Sequence, residues 1–148
     1  AIMDLLDRKS GFVVYEPEWT IYTRSAVRPP HYTGPKAQVN HSITPRGCEI
    51  YGAVEESVLF HSVKIEEGAT VRYSVLMPGA VVKKGALVEY AIIAENTVIG
   101  EKAHVGESPK KGSSGKGIAV VAQDLTVGAG AVIPAEAMIT KNVKGVKA

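Results

Sequence analysis

From Val63 onward an apolar residue returns at every sixth position: Val63, Ala69, Val75, Val81, Leu87, Ile93, Ile99 and Val105. Two places ahead of each later member runs a second column, Glu67, Tyr73, Gly79, Gly85, Ala91, Thr97 and Ala103, made mostly of small side chains. A helix repeats at about 3.6 residues and a half-buried strand at two, so a step of six belongs to neither. It suits a chain laid down as short strands joined by tight corners, with one residue per side turned inward. The pattern predicts a parallel β-helix of hexapeptide repeats. The cleanest copies, residues 93–98 and 99–104, each begin with isoleucine and carry a small residue in second and fifth place.

The repeat starts faintly at Gly34 and keeps its flavour through residues 40–62, where Pro45 and Ser57 interrupt the column. With three sides per coil, residues 34–105 make about four coils, roughly 15–20 Å tall at ~4.8 Å per stacked strand. Residues 106–117, rich in Gly, Ser and Lys, read as a loop. The step resumes at Val121, Val127, Ile133 and Ile139. The loop therefore bulges from a β-helix that spans residues 34–141, and a basic tail, 142–148, is expected to fray. The end coils leave backbone edges open, which calls for a covering partner.

Residues 1–33 lack the step. Ile2, Leu5 and Leu6 have helical spacing and predict the end of a short amphipathic helix that Gly11 closes, followed by a short strand at 12–15. The paired prolines Pro29 and Pro30 force an extended path, so this stretch is expected to be a connector fastened to the β-helix through Trp19, Tyr22 and Pro29. Starting without methionine, in mid-helix, the chain reads as a fragment.

Composition narrows the classes. A net charge of +2 gives no reason to expect nucleic acid or a membrane surface. No run approaches the ~18 apolar residues of a membrane span, and no signal peptide opens the chain. The single cysteine, Cys48, excludes an internal disulfide framework and fits a reducing, cytoplasmic setting. Four histidines, His31, His41, His61 and His104, are candidate bases, yet nothing in the sequence sets one beside an orienting carboxylate. The run Gly112–Gly117 misses a phosphate loop twice, with Lys110 where glycine is needed and Gly117 where Ser or Thr is needed. Glu55–Glu56 and Glu66–Glu67 read as solvated corners, and no metal cluster is visible. Arg24, Arg28, Arg46, Lys64, Arg72, Lys83 and Lys84 are candidates for an anion site where connector meets β-helix. No catalytic residue is assigned.

Residues 18–23 (Glu-Trp-Thr-Ile-Tyr-Thr), Pro29-Pro30, Asn40-His41-Ser42-Ile43, and residues 47–52 (Gly-Cys-Glu-Ile-Tyr-Gly) occur in a recognisable order. Ser57-Val58-Leu59-Phe60 and Ser74-Val75-Leu76-Met77-Pro78 follow. From about Met3 to about Ile139 the chain resembles the C-terminal region of glucose-1-phosphate adenylyltransferase (ADP-glucose pyrophosphorylase). The resemblance implies an all-β, single-stranded, left-handed parallel β-helix attached to a nucleotidyltransferase domain that this chain lacks. That whole enzyme makes ADP-glucose and pyrophosphate from ATP and glucose 1-phosphate with Mg²⁺, for glycogen or starch synthesis. The β-helix would need no cofactor of its own. It would assemble sibling subunits into homo- or heterotetramers and wall an allosteric site for anionic metabolites. Regulated members carry Lys or Arg where this chain has Glu95 and Gln123, which implies weak regulation or different contacts. Two rivals stand beside this reading: a non-catalytic regulatory paralogue, and a hexapeptide acyltransferase using His61 or His104.

Overall fold

The computed structural model describes residues 2–7, 9–11, 18, 27–109 and 117–146. The strand expected at 12–15, and Trp19, Tyr22 and Arg24, lie outside them. The β-helix is there, as three parallel sheets that the chain visits in turn. Sheet A stacks β1 (Tyr32–Thr33), β3 (Glu49–Ile50), β6 (Lys64–Ile65), β9 (Val81–Val82), β12 (Val98–Ile99) and β15 (Thr126–Val127). Sheet B stacks β2 (Gln38–Asn40), β4 (Ala53–Glu55), β7 (Thr70–Arg72), β10 (Leu87–Glu89), β13 (His104–Val105) and β16 (Val132–Ile133). Sheet C stacks β5 (Val58–Leu59), β8 (Val75–Leu76), β11 (Ala91–Ile93), β14 (Ala119–Val121) and β17 (Met138–Ile139). Each strand is two or three residues long, too short to be stable except as one rung of a stack.

The repeat is not a uniform six. Lys64 pairs with Val81 and Val81 with Val98, so one coil takes 17 residues and its sides step by six, six and five. The inward column is therefore Ile65, Val71, Leu76, Val82, Val88, Ile93, Ile99 and Val105, every one 0% exposed. Burying each such side chain stabilises the fold by about 1.5–3 kcal/mol. A strict six drifts across this column. Val63 and Ala69 point inward two residues early, Val75 lies on the outer side of β8, and Val81 and Leu87 are only half-buried outer residues. Phase returns at Ile93.

The five-residue step comes from the corner between sheets B and C. Glu56, Tyr73 and Tyr90 turn it alone in the left-handed region, at φ 44°, 49° and 47°. The next residues form a hydroxyl ladder. Ser74 N–H donates to Ser57 Oγ at 3.2 Å, and Ala91 N–H donates to Ser74 Oγ at 3.2 Å. Each hydroxyl donates in turn to the carbonyl two residues back, of Glu55 or Arg72. Ser57 and Ser74 are thus buried but satisfied. The same ladder explains why Ser57 breaks the apolar column.

The second coil is shorter still. Only Tyr51 and Gly52 join β3 to β4, where the later coils use four residues. The fifth coil is longer: Val98 pairs with Thr126 across 28 residues, because the loop leaves after Gly106 and returns at Ala119, whose N–H bonds Tyr90 O. Two expectations about the ends change. The N-terminal segment is a five-residue 3-10 turn, Ile2–Leu6, packed on β5 with none of its own residues buried, not an amphipathic α-helix. The tail does not fray at once, since Val143 bridges Val127 and Val146 N–H bonds Ala129 O.

Candidate functional site

The corner between sheets C and A takes four residues from β5 onward, and the tips of its rungs are Arg46–Gly47, His61–Ser62, Pro78–Gly79, Glu95–Asn96 and Gln123–Asp124. Backbone bonds fix the stack: Gly79 N–H to His61 O at 3.2 Å, Asn96 N–H to Pro78 O at 3.0 Å, and Asp124 N–H to Glu95 O at 2.9 Å. At its foot Gly47 N–H bonds Pro29 O, and the half-buried Arg28 donates through Nη1 to Ser62 Oγ. Four of the five candidate effector residues, Arg28, Arg46, Glu95 and Gln123, thereby share one edge. Arg24 lies outside the described residues. Pro29 itself is exposed; its carbonyl, not its ring, ties the chain to the corner that closes the first coil.

Position along this edge matters. Arg46, Glu95 and Gln123 are all exposed, and Glu95 and Gln123 occupy successive rungs. Arg46 lies three rungs below Glu95, about 14 Å at ~4.8 Å per rung. One small anion cannot touch both ends. The edge is polarised, with Arg28, Arg46 and His61 at its lower half and Glu95 and Asp124 at its upper half, where Asn96 Nδ2 holds Asp124 Oδ1 at 3.1 Å.

The rest of the basic set disperses. Lys64 Nζ faces Glu49 at 3.3 Å on sheet A, and Arg72 Nε faces Glu89 at 3.2 Å on sheet B. Lys83 and Lys84 sit on the corner between A and B. Glu89 was not legible as special in the sequence. It is 6% exposed and held from both sides, since His104 Nε2 lies 3.1 Å from its other oxygen. The spacing of 17 from Arg72 to Glu89 is the signal that finds this pair once the coil length is known. His41 also meets a carboxylate, with Nδ1 2.7 Å from Glu56 Oε2. So two histidines stand beside carboxylates, which sequence spacing did not reveal. His31 is exposed, and His61 Nδ1 is buried without a hydrogen-bond partner among the described residues.

Among the described residues no group of three or more His, Cys, Asp or Glu is placed to hold a metal ion. No helix among the described residues is long and apolar enough to cross a membrane.

Coil length, strand length and inward columns define a hexapeptide-repeat parallel β-solenoid. The chain belongs to the GlmU-like, C-terminal hexapeptide family, whose pattern matches residues 29–127. It is 45% identical over 80 residues to a glucose-1-phosphate adenylyltransferase of Acetivibrio thermocellus, a match covering 54% of this chain and 19% of that protein. It is 40% identical over 83 residues to the enzyme of the same name from Clostridium perfringens, covering 56% and 21%. The chain thus matches only about a fifth of these relatives' length, in their C-terminal region. Among solved structures, a mutant of perosamine N-acetyltransferase from Caulobacter crescentus, in complex with CoA and GDP-perosamine, aligns over 81% of this chain and 50% of that one. Its TM-score is 0.33 at 18% identity, a likeness too slight to bear on function.

Proposed function

We propose that this chain is the regulatory and oligomerisation domain of a cytoplasmic glucose-1-phosphate adenylyltransferase, joined to a nucleotidyltransferase domain that precedes it. The observation that carries the proposal is 45% identity to an enzyme of that name, confined to a C-terminal part of it. In the whole enzyme a phosphate oxygen of glucose 1-phosphate attacks the α-phosphate of ATP. The bond to the β-phosphate breaks, and ADP-glucose and pyrophosphate leave. Such a transfer depends on positioning and charge stabilisation, and those parts, with Mg²⁺, belong to the preceding domain.

The β-helix contributes a rigid edge. An anionic effector meeting Glu95 and Gln123 encounters a carboxylate and an amide where regulated relatives offer cations, so its binding is weak. Activity of the full-length enzyme is expected to respond little to fructose bisphosphate. Strong activation that survives in Glu95→Ala and Gln123→Ala variants would overturn this. If the full-length protein makes no ADP-glucose at all, it is a silent regulatory paralogue. The contact between His104 and Glu89 favours one further reading, acyl transfer with His104 as base. That reading requires acyl-CoA turnover that disappears in His104→Ala.

A further inference from the structure

The corner between sheets A and B normally has four residues, and each tip is tied to the coil beneath it. Gly85 N–H donates to Glu67 O at 3.3 Å, Lys102 N–H to Lys84 O at 3.0 Å, and Gly130 N–H to Glu101 O at 2.8 Å. In the second coil Tyr51 and Gly52 alone cross this corner, so its tip is missing. Two things follow. A notch of about 480 Å³ opens between the first and third coils, floored by Tyr51, Gly52 and Ala53 and flanked by Lys36, Glu67 and Lys84. In addition, Gly68 N–H, which stands where Gly85 N–H stands one coil later, has no backbone acceptor among the described residues. The residue whose carbonyl would take it does not exist. The floor is held from both sides: a Cβ on Gly52 would lie 2.3 Å from Ala69 O of the third coil, and Gly52 O accepts Gln38 N–H of the first coil at 3.1 Å.

We propose that this notch binds a small oxyanion, a carboxylate or a phosphate group, whose oxygen takes the place of the missing tip carbonyl. Gly68 N–H donates to that oxygen, and the Lys36 and Lys84 ammonium groups supply the charge. Lys36 Nζ now lies 3.6 Å from the Glu67 carboxylate across the notch, and the two side chains are 82% and 58% exposed. An ion pair so exposed contributes little, so exchanging it for a bound anion costs little. Glu66 does not compete, because its Oε2 accepts Lys84 N–H at 3.0 Å. The site is separate from the edge bearing Arg46 and Glu95. It needs only the β-helix, so its failure would leave the nucleotidyltransferase reading untouched, and the reverse.

The test is a titration of the ¹⁵N-labelled 148-residue chain with inorganic phosphate and, separately, acetate at low ionic strength. Saturable shifts centred on the Gly68 amide are expected, and whichever probe binds more tightly names the anion class. The double variant Lys36→Ala, Lys84→Ala is expected to bind about tenfold more weakly, whereas Lys83→Ala on the same corner binds as before. Inserting Glu-Gly between Tyr51 and Gly52 restores a four-residue corner and should abolish binding. The lysine variants change no backbone and carry the test if the insertion unfolds the chain. No saturable shift at Gly68 with either probe, or undiminished binding by the double variant, overturns the proposal.

Discussion

Backbone proximity sets the strictest demands at the residue scale. Gly52 has no unusual φ; it is glycine because the third coil's carbonyls crowd it, with Ala69 O 2.3 Å and Glu66 O 2.8 Å from where a Cβ would sit. Gly106 combines φ 82° with a Cβ position 1.8 Å from Glu89 O. Gly52→Ala is expected to cost about 2–3 kcal/mol and Gly106→Ala more, read as denaturant midpoints; a neutral Gly52→Ala would contradict the tight floor. Cys48 makes a different demand. It is 1% exposed, its Sγ donates to Phe60 O at 3.2 Å, and burial pushes the thiol above its ordinary value, against smaller opposing hydrogen bonds from the Val63 and Ser62 backbones. The native state holds the protonated thiol, so the unfolded chain ionises first. Cys48's contribution is intact below about pH 8.5 and declines as pH climbs toward the raised folded value. Cys48→Ala should therefore lose stability less steeply than the parent as pH rises above about 8.5, by urea denaturation at each pH; parallel curves would refute the assignment.

At the scale of the element, each two-residue strand presents one side chain to the core and one outward, so a single-residue phase error exchanges them. Val81 and Val82 separate the two phases. Val82 is 0% exposed and Val81 half-buried. Val82→Ala is expected to lower stability by about 2 kcal/mol and Val81→Ala by less than about 1 kcal/mol. Equal losses would restore the uniform step of six. The apolar column alone could not distinguish the two, because valine fills both places. What selects the phase is the short corner turned by Tyr73 and Tyr90 in the left-handed region, with Ser57 and Ser74 beneath, and a serine in that role looks in sequence like a gap in the pattern.

For the whole molecule, stability is a property of the stack, with every coil supported by its neighbours. Among the described residues, 142–146 support the last coil on its outer side. Asn142 Oδ1 takes Thr126 N–H, Val143 bonds Thr126 and Gly128, and Val146 N–H bonds Ala129 O. Truncation after Thr140 removes these four bonds, and at about 0.5–1.5 kcal/mol each it should cost roughly 2–6 kcal/mol. Hydrogen exchange should accelerate in β15 and β16 and stay slow in β9 to β12. Uniform acceleration through all coils would mean that the stack unfolds as one unit.

The sequence by itself determined the architecture. A recurring aliphatic with small residues beside it has few ways to be buried, and a β-solenoid is the one with corners often enough. Its local order also located the break in the repeat at 106–117 and the family's phrases around Trp19, Ser57 and Ser74. Only the tertiary structure decided the phase, the short second coil and the neighbours of each polar side chain. Arg72, Glu89 and His104 are spaced by 17 and 15 residues, and Arg46, Glu95 and Gln123 by still more. Such groups meet only through the length of each turn of the coil. That length is set by corner geometry and close backbone approach, which composition and periodicity do not encode.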